Sequence, residues 1–257
     1  MTKITQKNFV LSIAEHDSPI IITVPHGGMK QRYSSWLENF FQPRLKANYN
    51  QSTKEIPASE RIVLGGDFQI WHLVADILKE HPANAVMGLL PRLFIDYNRF
   101  IPEIAYTDKR LKTYYEYYHK CISKIIERLL LNHKKVILLD MHGFFRQPLN
   151  DKVFDFIIGS NNGETSPNGI DSFIYEQMKS KYQIFCADKD GLPKECDSYK
   201  GDTTNLYYYE KYNIDTLLIE TSSKFLSQNI SNSKENGIKL AGDFAISLKE
   251  LEKRLGN

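Results

Sequence analysis

Two stretches decide the fold: Pro19-Ile-Ile-Ile-Thr-Val-Pro25-His26-Gly-Gly28 and Lys135-Val-Ile-Leu-Leu-Asp140-Met-His142-Gly143. Each carries a run of β-branched and aliphatic residues at consecutive positions, without polar alternation. Such a run fits a strand buried on both faces, as in a parallel sheet sandwiched between helices. Each run gives way to a His-Gly pair that reads as a turn, at His26 and again at His142.

Working outward, the 3.6-residue period predicts helices over 67–80, 109–132, 169–181, 203–212 and 234–255. Asp67 stands where the first of these would be capped. Further strands are expected at 92–97, 154–158, 183–187 and 216–219, the last ending at Glu220. Residues 29–66 are polar and irregular and read as a long surface excursion, with one short helix around Trp36 to Phe41. Strands alternating with helices predict an α/β fold: a three-layer α/β/α sandwich around a mostly parallel or mixed sheet. No repeat or linker divides the chain, so one domain over 1–257 is expected.

Composition narrows the function. Lys and Arg total 33 against 31 Asp and Glu, a net charge of +2 that offers no broad attraction for nucleic acid. Hydrophobic residues at 42% and aromatics at 12% supply a real core and exclude a disordered chain. Cys121, Cys186 and Cys196 form no Cys-x-x-Cys pair, so a disulfide scaffold and a thiolate zinc site are both excluded. Any metal must be held by nitrogen and oxygen. The N-terminus lacks the apolar stretch of a signal peptide, and no segment approaches the ~20 apolar residues of a membrane span. A cytoplasmic protein with neither membrane nor nucleic-acid partner is expected.

The chemistry lies in position. His26, His142 and Glu220 each follow an apolar strand, and ligands in α/β sheets bind beyond the carboxyl ends of strands. Two imidazoles and a carboxylate with an open fourth position form the set a catalytic Zn²⁺ needs, with a free Glu as the base. Asp67 could join them, and His72 competes for the ligand role. The plain alternative is that each His is a turn or core residue. His119 is expected to be packed on the long helix, while His16, His81 and His133 read as surface histidines. Arg92 and Arg99 bracket the 92–97 segment. They are either surface charges or a pair in which one polarises a carbonyl and the other clamps a substrate carboxylate. No Gly-Lys-Ser/Thr phosphate loop and no Gly-x-Ser-x-Gly elbow is present.

Taken in order, the motifs resemble the N-formylglutamate amidohydrolase family, within the wider group of zinc carboxypeptidases and aspartoacylases. Val24-Pro-His26-Gly-Gly28 is similar to that family's Ser-Pro-His-x-Gly segment, and Gly65-Gly-Asp67 to its Gly-Thr-Asp. Arg92-Leu-Phe-Ile-Asp-Tyr-Asn98-Arg99 resembles its Arg-to-Asn-Arg motif, Asp140-Met-His142-Gly143 its Asp-x-His-Ser, and Ile219-Glu220-Thr221 its late Gln-x-Glu segment. The resemblance implies a phosphorylase/hydrolase-like fold and one zinc ion on His26, Asp67 and His142. It implies Glu220 as general base, Arg92 at the scissile carbonyl, and Asn98 and Arg99 on a substrate carboxylate. The implied substrate is a small N-acyl amino acid such as N-formyl-glutamate, or a short peptide. Val24 and Gly143 depart from the family's small polar residues, which bears on substrate identity. The alternatives are a carboxypeptidase-like hydrolase of peptides or peptidoglycan stems, and a non-catalytic binding protein on the same fold.

Overall fold

The computed structural model describes residues 3–7, 9–27, 67, 70–90, 92, 94–100, 105–106, 109–144, 154–186, 199–201, 203–226 and 233–256. The short helix expected near Trp36 lies outside these residues. In chain order the elements are β1 (Lys3–Lys7), β2 (Val10–Ala14), β3 (Ile20–Val24), α1 (Ile70–Glu80), β4 (Asn84–Gly88), α2 (Lys112–Leu130) and β5 (Ile137–Phe144). There follow β6 (Phe156–Gly159), α3 (Ile170–Met178), β7 (Ile184–Cys186), α4 (Thr204–Tyr212), β8 (Asp215–Ser222) and α5 (Ser233–Gly256).

Among the described residues the strands form one mixed sheet in the order β1-β2-β4-β3-β5-β8-β6-β7. Its centre, β4-β3-β5-β8, is parallel. On one flank the β1-β2 pair runs antiparallel to the centre through β4; on the other, β6 pairs antiparallel to β8 and carries β7 parallel to itself. Strand alternation sends neighbouring side chains to opposite faces. Ile20, Ile22, Leu139, Met141 and Ile219 meet α1, α3 and α5 on one side. Ile21, Val86 and Leu138 meet α2 and Tyr208 of α4 on the other. The helix α2 buries Tyr118, Ile122, Ile125, Ile126 and Leu129 as one stripe, each contributing roughly 1.5–3 kcal/mol of transfer free energy. The expected α/β/α sandwich is the observed architecture.

Three differences from the sequence reading matter. Among the described residues of 92–97 there is no strand, only turns with a single bridge between Ile95 and Tyr106. The Asp96 carboxylate accepts from the Asn98 N–H at 3.1 Å, and its carbonyl from the Arg99 N–H at 3.2 Å. A side chain that captures the backbone two residues on favours a turn over a ladder. The apolar residues Phe94, Ile95 and Tyr97 are buried against α2 instead. Second, β5 does not turn at His142 but runs on to Phe144, because β8 pairs with it as far as Ser222. Third, β1, β2 and β4 carried too weak a pattern to be read as strands. One glycine ties β4 to the turns. A Cβ on Gly88 would lie 2.5 Å from the Tyr97 ring and 2.8 Å from the Pro25 carbonyl oxygen. The bare backbone lets Tyr97 lie on the strand beside the Pro25–His26 turn.

Candidate metal centre

The parallel strands deliver His26 from the turn after β3, His142 from within β5, and Glu220 beside it on β8. Asp67 lies just before α1, where its backbone carbonyl takes the Ile70 N–H at 2.8 Å. That leaves its carboxylate to face the histidines. Oδ2 of Asp67 sits 3.4 Å from His26 Nδ1 and 3.1 Å from His142 Nδ1. The three ligand-capable atoms lie within 4.8 Å of one another. His72 is not among them; its ring lies tilted against Trp71 on α1.

The far side of each ring is also held by a carboxylate. His26 Nε2 lies 2.8 Å from Asp96 Oδ1, and His142 Nε2 lies 3.1 Å from Asp140 Oδ2. Both histidines are almost wholly buried. A neutral imidazole has one N–H and one lone pair. A ring facing acceptors on both sides must carry a second proton or give a nitrogen to a cation. A histidine whose outer nitrogen is held by a carboxylate is the usual arrangement of a metal-binding imidazole. Tetrahedral bonds of ~2.1 Å would separate neighbouring ligand atoms by ~3.4 Å, close to the 3.4 and 3.1 Å from Asp67 Oδ2 to the two rings. The donor set, spacing and outer partners all fit a metal ion.

Electrostatics follow from this crowding. Burial opposes ionisation of Asp67, yet His142 and His26 hold its carboxyl well below the usual range. Asp96 is likewise held low against burial by His26, Arg92 and Arg99. Burial opposes the charged form of His142, but Asp140 and Asp67 push it well above the ordinary imidazole value. Glu220 goes the other way: burial pushes it up to about 7, with His142 a partial offset. Its Oε2 is buried without a hydrogen-bond partner among the described residues, which suits a group kept for a reacting proton.

Asp96 also gathers the arginines. Its Oδ2 accepts from Arg92 Nε at 2.9 Å and faces Arg99 Nε at 3.6 Å, while 45% and 43% of those side chains stay exposed. Asn98 Oδ1 accepts from Thr203 Oγ1 at 3.1 Å and from both the backbone and the hydroxyl of Thr204, which fixes it to the start of α4. Thr23 Oγ1 donates to Asp140 Oδ1 at 2.6 Å and completes the support under His142. The sequence reading had named neither Asp96 nor Asp140 for a role. Asp140 had a usable signal, since residues two apart on a strand share a face. Asp96 had none, because it reaches His26 only through the turns.

Residues 102–226 match the family model described as N-formylglutamate amidohydrolase. The chain resembles the N-formylglutamate amidohydrolase family. The matched segment holds His142 and Glu220; His26, Asp67 and the arginines precede it. An N-formylglutamate amidohydrolase from Ralstonia eutropha JMP134 has the same fold, with a TM-score of 0.66 at 16% identity, over 94% of this chain and 96% of that one. A gene product from Agrobacterium tumefaciens superposes with a TM-score of 0.63 at 12% identity, over 93% and 92% of the two chains. No curated protein matches the sequence. The amidohydrolase resemblance thus joins a hydrolase family model and fold to a cluster able to hold a metal.

Proposed function

We propose that this protein hydrolyses the amide bond of a small N-acyl amino acid, N-formyl-glutamate being the reference substrate, with one zinc ion held by His26, Asp67 and His142. The observation that carries this reading is the double carboxylate clamp. Both imidazoles are locked at Nε2 by Asp96 and Asp140, and both aim Nδ1 at Asp67. When bound, the ion supplies a Lewis acid that polarises the scissile carbonyl and acidifies water.

The chain's own groups do the rest. Glu220, beside His142 in register, takes the proton of the attacking water and returns it to the departing amine. Its raised pKa suits both halves of that transfer. Arg92, steadied at Nε by Asp96, offers its exposed guanidinium to the oxyanion. Arg99 and the Asn98 amide hold the substrate carboxylate, the arginine by its planar fork. Asp96 thus couples the carboxylate grip to His26 through one side chain.

The test is direct. Purified protein should contain about one equivalent of metal, lose N-formyl-glutamate hydrolysis on chelation and regain it with zinc. Metal-replete protein inert towards every N-acyl amino acid would overturn the reading.

A further inference from the structure

The reacting row of the sheet does not end at Glu220. Register places His142, Glu220, Ile157 and Phe185 side by side on β5, β8, β6 and β7. With strands about 4.8 Å apart, Ile157 is one strand from Glu220 and about 10 Å from His142 at the backbone. Phe144 stands two residues beyond His142 on the same face of β5. Ile157 and Phe185 with Phe144, Phe154 and Tyr199 form an apolar cluster separate from both main cores. The Phe144 and Tyr199 rings are 6.3 Å apart, and those of Phe154 and Phe185 5.2 Å. Ile157 is fully buried, whereas Phe144, Phe154 and Tyr199 are half-buried.

The backbone is shaped to keep Tyr199 there. A Cβ on Gly159 would fall 2.1 Å from the Tyr199 carbonyl oxygen, so residues 199–200 can lie on β6 only because Gly159 has no side chain. The segment then passes Gly201, whose φ of +75° suits glycine, and enters α4 next to Asn98. The site therefore has two unlike poles. Arg92, Asp96 and Arg99 lie on the His26 side; on the other, Ile157 stands beside Glu220 and leads to Phe185 and the ring cluster.

We propose that the site prefers a large apolar acyl group, an aroyl or branched aliphatic one, over formyl, and that this group lies against Phe144, Tyr199 and Ile157. This rests on the hydrolytic reading above and names its substrate class. With the carboxylate held at Arg99 and Asn98 and the scissile carbon between His142 and Glu220, the acyl substituent would leave the carbonyl on the side away from the carboxylate, toward β6. A formyl group would leave the rings unused. Each methylene moved from water onto them favours the bound state roughly fourfold.

The experiment compares kcat/KM of the zinc-loaded protein for N-formyl-, N-acetyl-, N-hexanoyl- and N-benzoyl-glutamate. The benzoyl-to-formyl ratio should exceed ten, fall at least tenfold in Phe144→Ala, and recover in part in Phe144→Leu. A packing role alone would lower the melting temperature without moving the ratio. A ratio at or below one, or one unmoved by Phe144→Ala in folded protein, overturns the inference while leaving amide hydrolysis standing. If no substrate turns over, binding to zinc-loaded Glu220→Gln decides. Tighter binding of N-benzoyl- than N-formyl-glutamate upholds the subsite and sinks only the hydrolytic reading; equal binding sinks the subsite.

Discussion

At the amino ends of the central strands, buried His81 lies 3.3 Å from Glu252 Oε1, and Ser18 Oγ donates to the same oxygen. Beside them Arg128 donates to Asn84 Oδ1 at 2.8 Å and to the His16 carbonyl at 3.1 Å, while Asn84 Nδ2 donates to the carbonyls of His16 and Ser18. Burial works against the Glu252 charge, but His81 and Ser18 hold its carboxyl below the usual range. At the carboxyl ends, His26 and His142 also meet carboxylates, but there Asp67, Asp96, Asp140 and Glu220 crowd two imidazoles. At the amino pole one imidazole meets one carboxylate, and His81 Nε2, though 3.3 Å from Glu252, makes no hydrogen bond among the described residues. At the other pole four carboxylates crowd two imidazoles, and a cation would balance that excess of negative charge. A buried His–carboxylate pair reads as structural where one carboxylate meets one imidazole and as chemical where several carboxylates converge on neighbouring imidazoles.

Four experiments would break or sharpen that contrast, taken from the largest effect down. Glu220→Gln in the metal-replete protein should lower kcat by about 10²–10⁴ with metal content unchanged; comparable turnover would remove Glu220 from the base role. In metal-free protein the same change should stabilise the fold at alkaline pH. The Glu220 carboxyl is raised from 4.5 to about 7 in the fold, so the folded chain holds a proton that the unfolded chain has lost. Stability from this group is present below pH 4.5 and lost as pH rises through 7, a loss of at most about 3 kcal/mol. Thermal melts should show metal-free Glu220→Gln more stable than wild type at pH 8 and similar to it near pH 4.5.

Next, Asp96→Asn and Asp140→Asn should each weaken metal affinity by about 10–100-fold, read by competition with a chromogenic chelator. Unchanged affinity in both would mean that the clamps do not serve a metal. Glu252→Gln at the opposite pole should cost about 1–3 kcal/mol in denaturant melts and leave metal affinity and turnover as they were. A loss of metal from that variant would abolish the distinction between the poles.

Which parts were legible in the sequence follows from where the information sits. The runs at 20–24 and 137–139 and the α2 stripe report burial by neighbours on the same element, so the layers and their helices were readable. The segment at 92–97 was misread because its apolar residues are buried by α2, while Asp96 draws the backbone into turns. The strand Asn84–Gly88 escaped notice because all five of its residues are buried through contacts from both faces, with little β-branched content to mark them. His81, read as a surface residue, is buried because Glu252, far along the chain on α5, comes back to meet it.

By itself, the sequence determined the kinds of groups available: no thiolate pair, two histidines and a glutamate at strand ends, and arginines flanking Asp96. It also determined the alternation that stacks helices on both sides of a sheet, since periodicity is a local property of the chain. Only the tertiary structure decided that Asp67 rather than His72 faces the histidines, that Asp96 and Asp140 lock the rings, and that Ile157 and Phe185 continue the row past Glu220. Those relations depend on strand register and on two glycines that admit a ring or a backbone to close contact. Both arise from contacts between residues distant in sequence, which no local pattern encodes.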